Sequence, residues 1–532
     1  MIIMVKAQKR ATGSFYTCLS IADYIVRWAI TDEDDRVLEP SFGDGSFLYS
    51  AINRFNELGN PDPDICGVEL QTEPYNSFVS TNSVVDCTLS DFLDYNQREG
   101  FDAVIGNPPY VSLRNLSDND RTKSISLMSK YGIDMPPSSS LWMPFVVHAT
   151  EMLNSNGRLG FVLPYEITYV RYGFKLWDYL KDNYGKLSVY RVYKDFFPEV
   201  DVETIVFLAE NKGGHTDQVE YKTFQDITNL FYDNSIVNTI IPIAEISTLS
   251  KPFERELISP TVQEIISALR EKGDLTSLLD ECKFKIGYVC GNKSYFHPSQ
   301  DTIRSYQIRR KNLIPCLVNS KDINNQKNIG LDTVKASSKV SLFYPIDIGK
   351  GEKDYISLGE AQQVNLGYKC RVRKPWYITP SIETPDIILT VFGDVPRMIA
   401  NTQGYIVSNS LLCGIIDRDS GATSKELVCR WYNSLTLLMI EMYIHSLGGG
   451  TLVLIPGEMD KMEIMANFPR SKVDSVFEKL NDCMLSKGLS ETYLLGDEIV
   501  LRQIYNLSDS EIQAIRNSLD DLRSWRRPDM RR

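Results

Sequence analysis

The chain has 532 residues, of which 43% are hydrophobic and 24% charged, and its formal net charge at pH 7 is −12. This composition is typical of a folded protein and excludes disordered, collagen-like and coiled-coil chains, while the length predicts at least two domains. The most apolar stretch, residues 435–444, contains Glu441 and is shorter than the roughly 18 residues that a membrane-spanning helix needs, so a membrane protein is excluded.

The cysteines, the histidines and the first residues carry little functional signal. The ten cysteines are scattered without a Cys-x-x-Cys pair, and only four histidines accompany them, so we expect reduced thiols and no metal site. The opening MIIMVKAQKR places its apolar residues before its basic ones, which is the reverse of a secretory signal. A cytoplasmic protein is therefore expected.

The charges are distributed unevenly along the chain. Residues 1–250 carry 20 Lys and Arg against 34 Asp and Glu, whereas residues 283–400 carry 18 against 10. A basic region in an acidic chain is typical of a surface that contacts a phosphate backbone, although a solvated charged face explains it equally well.

The first 210 residues alternate short β-rich runs with helical segments, which predicts an α/β fold on a mostly parallel, Rossmann-like sheet. Seven strands are predicted, over residues 36–40, 64–70, 84–88, 101–106, 157–163, 186–193 and 203–209. Helical periodicity covers residues 20–30, 45–58, 141–153 and 171–184. Because the rhythm changes after a turn-rich segment at 211–214, we predict one domain over residues 1–245 and a mixed α+β domain over residues 246–532.

The first predicted strand leads into a glycine-containing loop, EPSFGDGSF. In an open α/β sheet ligands bind beyond the carboxyl ends of the strands, and Gly43 and Gly45 let the backbone approach a ligand closely. Glu39 ends the strand, where its carboxylate can hold a hydroxyl or an ammonium group. The loop departs from the G-x-G-x-x-G dinucleotide pattern, so a neutral or cationic nucleoside fits it better than NAD. A glycine-rich turn with no ligand is the alternative.

Acids also follow the second and third predicted strands. Glu69 ends the second, at a position where a carboxylate commonly binds ribose hydroxyls. Asp91 and Phe92 follow the third, where the carboxylate can accept a hydrogen bond from an adenine amino group and the ring can cover the base. The plainer interpretations are a surface acid for Glu69 and a helix-start Asp before a core Phe. Taken together, three such strand ends predict one nucleoside pocket.

The fourth predicted strand, FDAVIG, is followed at once by Asn107, Pro108, Pro109 and Tyr110. Two prolines stiffen the backbone and remove two N–H donors, which leaves carbonyl groups facing outward at the end of the strand. The Asn107 side-chain oxygen and the Pro108 carbonyl can both accept from one exocyclic amino group and draw its nitrogen toward a nucleophilic geometry. Tyr110 can stack on the ring that bears this group.

Over about residues 10–210 these motifs resemble the S-adenosylmethionine-dependent DNA methyltransferases of the N6-adenine type, in the gamma motif order of type II restriction-modification systems. The resemblance implies a seven-stranded methyltransferase sheet followed by a C-terminal target-recognition domain. It implies S-adenosylmethionine as the cofactor, bound by residues that match the family's cofactor motifs: Thr17, Glu39, Pro40, Gly43, Gly45, Glu69, Asp91 and Phe92. It implies as catalytic residues Asn107, Pro108, Pro109, Tyr110 and Phe197, with Phe196 an alternative to Phe197. Phe42 and Asp44 depart from the family, which commonly has smaller or uncharged residues there.

The resemblance further implies that the substrate is double-stranded DNA, with the target adenine flipped out of the helix and held between Tyr110 and Phe197. It implies protection of host DNA from a genetically linked restriction endonuclease, by a chain that works as a monomer. Two basic segments, residues 304–311 (RSYQIRRK) and 369–376 (KCRVRKPW), are candidates for contacts with bases and phosphates, although an exposed surface charge is the simpler explanation of each residue.

Three other functions remain open. Enzymes that methylate an RNA base or a protein glutamine amide can share the Asn-Pro-Pro-Tyr corner. A DNA-binding subunit without activity is the second, and the intact strand-end acids argue against it. A fused nuclease is the third, because Glu281 and Lys283 have the spacing of a metal-nuclease E-x-K motif.

Overall fold

The computed structural model describes residues 17–97, 99–193, 203–248, 251–324, 329–333, 340–446 and 450–527. The chain divides into two compact units, the first reaching Leu257 and the second comprising Ile258–Arg526. The division therefore lies beyond the boundary predicted at 245, because Ile243, Ile246 and Phe253 are buried in a core of the first unit. Among the helices of the described ranges, none is long and apolar enough to cross a membrane.

A nine-stranded sheet forms the centre of the first unit, in the order β3-β2-β1-β4-β5-β7-β6-β8-β9. Its strands are β1 Val37–Glu39, β2 Ile65–Glu69, β3 Asp86–Leu89, β4 Phe101–Gly106, β5 Leu153–Pro164, β6 Tyr184–Val192, β7 Thr204–Lys212, β8 Gln218–Phe224 and β9 Ser235–Pro242. Neighbouring strands from β3 to β5 are parallel, as are β6 and β8, whereas β7 is antiparallel to β5 and β6, and β9 is antiparallel to β8.

The predicted α/β class with a mostly parallel sheet is confirmed, but the predicted number of seven strands is wrong. All seven predicted strands overlap β1 to β7, and β8 and β9 extend the sheet beyond them. β9 pairs with β8 alone and has alternating exposed residues along most of its length, so its sequence lacks the continuous apolar run of a strand buried on both faces.

Helices cover both faces of this sheet. They are α1 Leu19–Ala29, α2 Ser46–Leu58, α3 Thr72–Val79, α4 Asp118–Ser129, α5 Trp142–Met152, α6 Phe174–Lys181, α7 Ile227–Phe231, α8 Ile243–Thr248 and α9 Pro252–Arg255. Successive side chains of a strand point to opposite faces, and in β1 Val37 accordingly joins the core under α1 and α2 while Leu38 joins the core under α5 and α6. The carboxyl ends of β1 to β4 are thereby fixed between two packed layers.

The second unit combines helices with three small sheets, ordered β10-β18, β11-β17-β14-β15 and β13-β12-β16. Its strands are β10 Leu275–Ser277, β11 Cys282–Ile286, β12 Leu313–Leu317, β13 Ser341–Phe343, β14 Ile387–Thr390, β15 Met398–Ala400, β16 Ile406–Val407, β17 Leu411–Ile416 and β18 Glu463–Met465. Its helices are α10 Pro260–Glu271, α11 Lys293–Phe296, α12 Gln300–Ser305, α13 Ser320–Asn324, α14 Lys350–Ala361, α15 Tyr368–Arg371, α16 Ser424–Trp431, α17 Ser434–Tyr443, α18 Pro456–Met459, α19 Val473–Ser486, α20 Leu489–Gly496 and α21 Asp509–Arg526.

Candidate functional site

A cavity of about 460 Å³ opens at the carboxyl ends of β1 to β4. The chain runs outward from β1 to β3 and then returns to β4 on the other side of β1, so this edge contains the point where the strand order reverses and where α/β sheets bind ligands. The walls come from the loops after the four strands and from α4 and α5: Pro40, Ser41, Gly43, Glu69, Leu70, Gln71, Ser90, Asp91, Phe92, Leu93, Asp94, Asn107, Pro109, Val111, Asn115, Leu116, Asn119, Asp120, Lys123, Ser124, Leu141 and Phe145. Seven residues predicted from the sequence are among them.

Glu39 is a buried carboxylate that directly precedes Pro40, one of the lining residues of this cavity. It ends β1 and is 2% exposed, and its Oε2 has no hydrogen-bond partner in the described part of the chain. Burial, together with the negative charges of Asp44 and Glu69, raises the pKa of Glu39 well above its usual range. A buried carboxylate oxygen without a hydrogen bond is costly, so this side chain is suited to a cationic or hydroxyl-bearing ligand.

The loop between β1 and α2 depends on two glycines with positive φ. Gly43 has φ of 52° and Gly45 of 81°, in the left-handed region that favours glycine. A Cβ at Gly45 would lie 2.5 Å from Phe78 Cδ2, so no larger residue fits there without a shift. The departures at Phe42 and Asp44 are structural: the Phe42 ring packs 5.2 Å from that of Phe78, and Asp44 Oδ1 accepts hydrogen bonds from the backbone N–H and hydroxyl of Ser46.

Glu69 ties the loops after β1 and β2 together. Its Oε2 accepts from the Gly43 backbone N–H at 2.9 Å and its Oε1 from the Gln71 N–H at 2.7 Å. Each carboxylate oxygen can accept more than one hydrogen bond. Glu69 therefore lines the cavity in a fixed orientation while it can still accept from a ligand hydroxyl.

Asp91 and Phe92 begin the 3₁₀ turn that follows β3. Asp91 Oδ1 accepts from the Leu93 N–H at 3.0 Å, and its Oδ2 accepts from Lys123 Nζ at 2.6 Å. Phe92 is buried, with its ring 5.0 Å from that of Phe145, and it also lines the cavity. Both plainer interpretations, the turn-start acid and the core ring, thus hold alongside a position on the cavity wall.

The Asn-Pro-Pro-Tyr segment forms the cavity edge after β4. Asn107 Nδ2 donates to Thr17 Oγ1 at 3.2 Å, and Asn107 Oδ1 accepts from the Tyr110 hydroxyl at 2.6 Å. The Tyr110 hydroxyl also lies 3.0 Å from the Val162 carbonyl oxygen, and burial with the nearby charge of Glu166 raises its pKa well above the usual range. Thr17 and Tyr110 therefore hold the Asn107 amide, and Val162 in turn contacts the Tyr110 hydroxyl.

Some predicted residues lie outside the cavity wall. Thr17, Glu39, Gly45, Pro108 and Tyr110 are not among the lining residues, although each belongs to or contacts a loop that forms the wall. Phe197 and Phe196 lie outside the described residues.

The contribution of α4 was missed from the sequence. Asn119, Asp120, Lys123 and Ser124 of this helix line the cavity. The helix buries only Ser124 and Met128, so it lacks the apolar periodicity by which helices are recognised. Its signals were the N-cap Ser117, whose hydroxyl accepts from the Asp120 N–H, and the acids of the first turn.

The predicted basic segments of the second unit are divided between structural and exposed residues. Arg309 pairs with Asp347 and Glu352, and Arg373 donates to the Cys290 carbonyl at 2.8 Å. Between these segments, Tyr368 is 65% exposed. Its ring has Lys369 Nζ at 5.4 Å and Arg371 Cζ at 5.5 Å from the centroid, an arrangement of aromatic and cationic groups that is suited to a nucleic acid.

The nuclease-like spacing in the second unit has a structural explanation. Glu281 accepts from the guanidinium of Arg430, which is fully buried. Lys283 lies on β11, paired in register with Ile415. Glu281 therefore neutralises a buried arginine, a role that accounts for this acid without any metal.

These features define an α/β protein with a cavity at the switch point of a mostly parallel sheet. Residues 65–197 match the family described as Eco57I restriction-modification methylase, and residues 250–501 match the family described as type II methyltransferase M.Eco57I, C-terminal domain. The chain is thus similar to restriction-modification methylases over both of these ranges.

Individual relatives with low sequence identity to this chain are also restriction-modification enzymes. The chain is 24% identical to type II methyltransferase M.BstVI of Geobacillus stearothermophilus, over 96% of this chain and 99% of that one. It is 22% identical to M.AccI of Acinetobacter calcoaceticus, over 72% of each chain. Its fold is similar to that of the type IIL restriction-modification enzyme MmeI in complex with DNA, with a TM-score of 0.53 and 11% identity over 95% of this chain and 75% of that one.

Proposed function

We propose that this chain is a site-specific DNA adenine-N6 methyltransferase that uses S-adenosylmethionine. The observation that carries the proposal is the Asn107-Pro108-Pro109-Tyr110 segment at the edge of the switch-point cavity, with the Asn107 amide fixed by Thr17 and Tyr110. The match to the Eco57I restriction-modification methylase family and the type II methyltransferases among the relatives support DNA methylation.

The cavity fits the proposed cofactor by size and charge. Its volume of about 460 Å³ lies in the range of small-molecule sites. Glu69, Asp91, Asp94 and Asp120 line it, against the single cation of Lys123 among the lining residues. This surplus of negative charge suits a ligand with an ammonium and a sulfonium group. When bound, S-adenosylmethionine would supply a methyl group on a sulfonium leaving group that is already activated.

The residues of the chain then have the following roles. Glu69 holds the ribose hydroxyls and Asp91 the adenine amino group of the cofactor, while Glu39 faces its cationic methionine end. Asn107 Oδ1 and the Pro108 carbonyl accept the two hydrogens of the target amino group, which fixes the nitrogen lone pair toward the methyl group. An amide oxygen can accept from two donors, so the Tyr110 hydroxyl can continue to orient Asn107 during this contact.

The target base must leave the DNA helix to reach the cavity edge formed by Asn107 and Pro108, because its amino group is paired inside a duplex.

The second unit is proposed as the target-recognition domain, with the exposed Tyr368, Lys369 and Arg371 on its DNA-binding surface. The structural relative MmeI was determined in complex with DNA, which supports DNA as the substrate. We further propose that the chain acts as a monomer and protects host DNA from a linked endonuclease.

The test is single-molecule sequencing of DNA from cells that express the protein, scored for N6-methyladenine and N4-methylcytosine by sequence context. We expect N6-methyladenine at one short motif in cells with the wild-type chain and none in cells with Asn107→Ala. A matched control is Asn238→Ala on the exposed face of β9, which should methylate normally. Methylcytosine at the motif would refute the base assignment, and unmodified DNA with methylated RNA or protein would refute the DNA substrate.

A further inference from the structure

Lys123 connects α4 to the cavity wall after β3. Its Nζ donates to Asp91 Oδ2 and to Asp94 Oδ2, each at 2.6 Å. The side chains of Lys123 and Asp91 are 23% and 24% exposed, and all three residues line the cavity. This is a charge-assisted link between a helix that follows the catalytic segment and the acid expected to bind the nucleobase of the cofactor.

The link fixes the direction in which Asp91 can accept a hydrogen bond. Asp91 Oδ1 is oriented by the Leu93 N–H and Oδ2 by Lys123. Without the ammonium group, the neighbouring carboxylates of Asp91 and Asp94 would repel each other and Asp91 would lose one of its two orienting contacts. A carboxylate that rotates freely binds an amino group less tightly, because binding must then also restrict its rotation at a cost in conformational entropy.

We propose that Lys123 is a positioning residue for the adenine end of the cofactor, which it serves by holding Asp91 in the orientation that accepts from the adenine amino group. The inference rests on the proposed use of S-adenosylmethionine and adds a residue outside the motifs that suggested that use. Partial burial lowers the pKa of Lys123, but its hydrogen bonds to Asp91 and Asp94 outweigh this effect and leave the pKa above its usual value. The ammonium group is therefore charged throughout the neutral range.

A purely structural brace for α4 is the competing explanation. The helix has other attachments, because Arg121 donates to the Leu113 and Leu116 carbonyls at 3.0 Å and Met128 is buried in the core. Removing the Lys123 charge should therefore leave α4 in place while it releases Asp91. If Lys123 only braced α4, its loss would weaken the binding of every ligand of the cavity equally. If it positions Asp91, its loss should weaken mainly the binding of ligands whose base carries the amino group.

The experiment measures binding of S-adenosylhomocysteine to the full chain by calorimetry, in the wild type and in Lys123→Met. We expect a loss of affinity of about tenfold, as for the loss of a charge-assisted hydrogen bond. The control is Lys130→Met, at the exposed C-cap of the same helix with no ion pair in the described structure, which should bind within about twofold of the wild type. Lys123→Arg, which keeps the cation, should restore most of the affinity.

A second ligand separates positioning from bracing. S-inosylhomocysteine has a 6-oxo group in place of the amino group, so the wild type should bind it more weakly than S-adenosylhomocysteine. In Lys123→Met the affinities for the two ligands should differ by no more than about threefold. In steady-state methylation, the variant should raise the KM for S-adenosylmethionine with little change in kcat. If Lys123→Met is unstable in urea, Lys123→Gln provides the same comparison.

The outcomes distinguish this inference from the proposed function. An equal loss for both ligands, or a fall in kcat at constant KM, would overturn the positioning role while leaving cofactor use intact. Affinity of the Met variant equal to that of the wild type would overturn it as well. Failure of the wild type to bind S-adenosylhomocysteine at all would refute the proposed cofactor, and the inference with it.

Discussion

Truncation of Asn107 to alanine should separate catalysis from folding. The side chain donates to Thr17 at 3.2 Å and accepts from Tyr110 at 2.6 Å, so its removal costs two hydrogen bonds with a net value of about 0.5–1.5 kcal/mol each. The Tyr110 hydroxyl keeps the Val162 carbonyl at 3.0 Å, which limits the cost to about 1–3 kcal/mol of unfolding free energy. Such a loss is measurable by urea unfolding and leaves the protein folded.

The effect on catalysis should be much larger than this structural cost implies. Loss of one preorganised group at a reacting centre typically lowers kcat by 10²–10³, or about 2.7–4 kcal/mol. Single-turnover methylation at saturating cofactor measures this directly, and affinity for S-adenosylhomocysteine should change by less than about threefold because Asn107 acts on the target base. Asn107→Asp keeps an acceptor oxygen and should lose less activity than Asn107→Ala.

Two outcomes would refute this reasoning. If Asn107→Ala kept more than about a tenth of the wild-type rate, the amide would not be the acceptor for the target amino group. If the aspartate variant were as slow as the alanine variant while both stayed folded, the donation to Thr17 would matter more than the acceptor oxygen. The exposed Asn238→Ala serves as the control in both measurements.

Three further predictions concern stability and DNA binding. Burial raises the pKa of Glu39 in the folded state, so its contribution to stability is present below the unfolded-state pKa and is lost as pH rises through the folded-state pKa. The urea midpoint of the wild type should therefore fall as pH rises, and Glu39→Gln should reduce this fall. Equal pH dependence of the urea midpoint in the two proteins would contradict this. Gly45→Ala should cost about 2–5 kcal/mol of unfolding free energy, from its φ of 81° and the overlap with Phe78, and a cost below about 0.5 kcal/mol would be incompatible with that overlap. Arg371→Ala should lower the slope of log K for DNA against log salt by about one, whereas the exposed Lys479→Ala should leave it unchanged.

Much of the first unit could be predicted from local sequence. β1, β2 and β4 to β7 were recognised because strands buried between two helical layers form short apolar runs, whereas β3 is a partly exposed edge strand. The acids and the Asn-Pro-Pro-Tyr segment follow the strands at the switch-point edge. Seven of the predicted residues line one cavity for this reason. β9 and α4 were missed because an exposed strand and a polar helix bury few apolar side chains. β8 is mostly buried, but polar and charged residues interrupt its apolar run, QVEYKTF.

The sequence by itself therefore determined the α/β class, the strand ends and the kinds of side chain placed there, since hydrophobic periodicity and proline stiffness act over a few residues. Only the tertiary structure decided which groups meet: Lys123 with Asp91, Thr17 with Asn107, and Arg430 with Glu281. The same holds for the basic segments, where Arg309 is engaged by Asp347 and Glu352 while Arg371 has no ion pair in the described structure. Pairing between distant charges depends on the packing of whole elements and leaves no periodic trace in the chain.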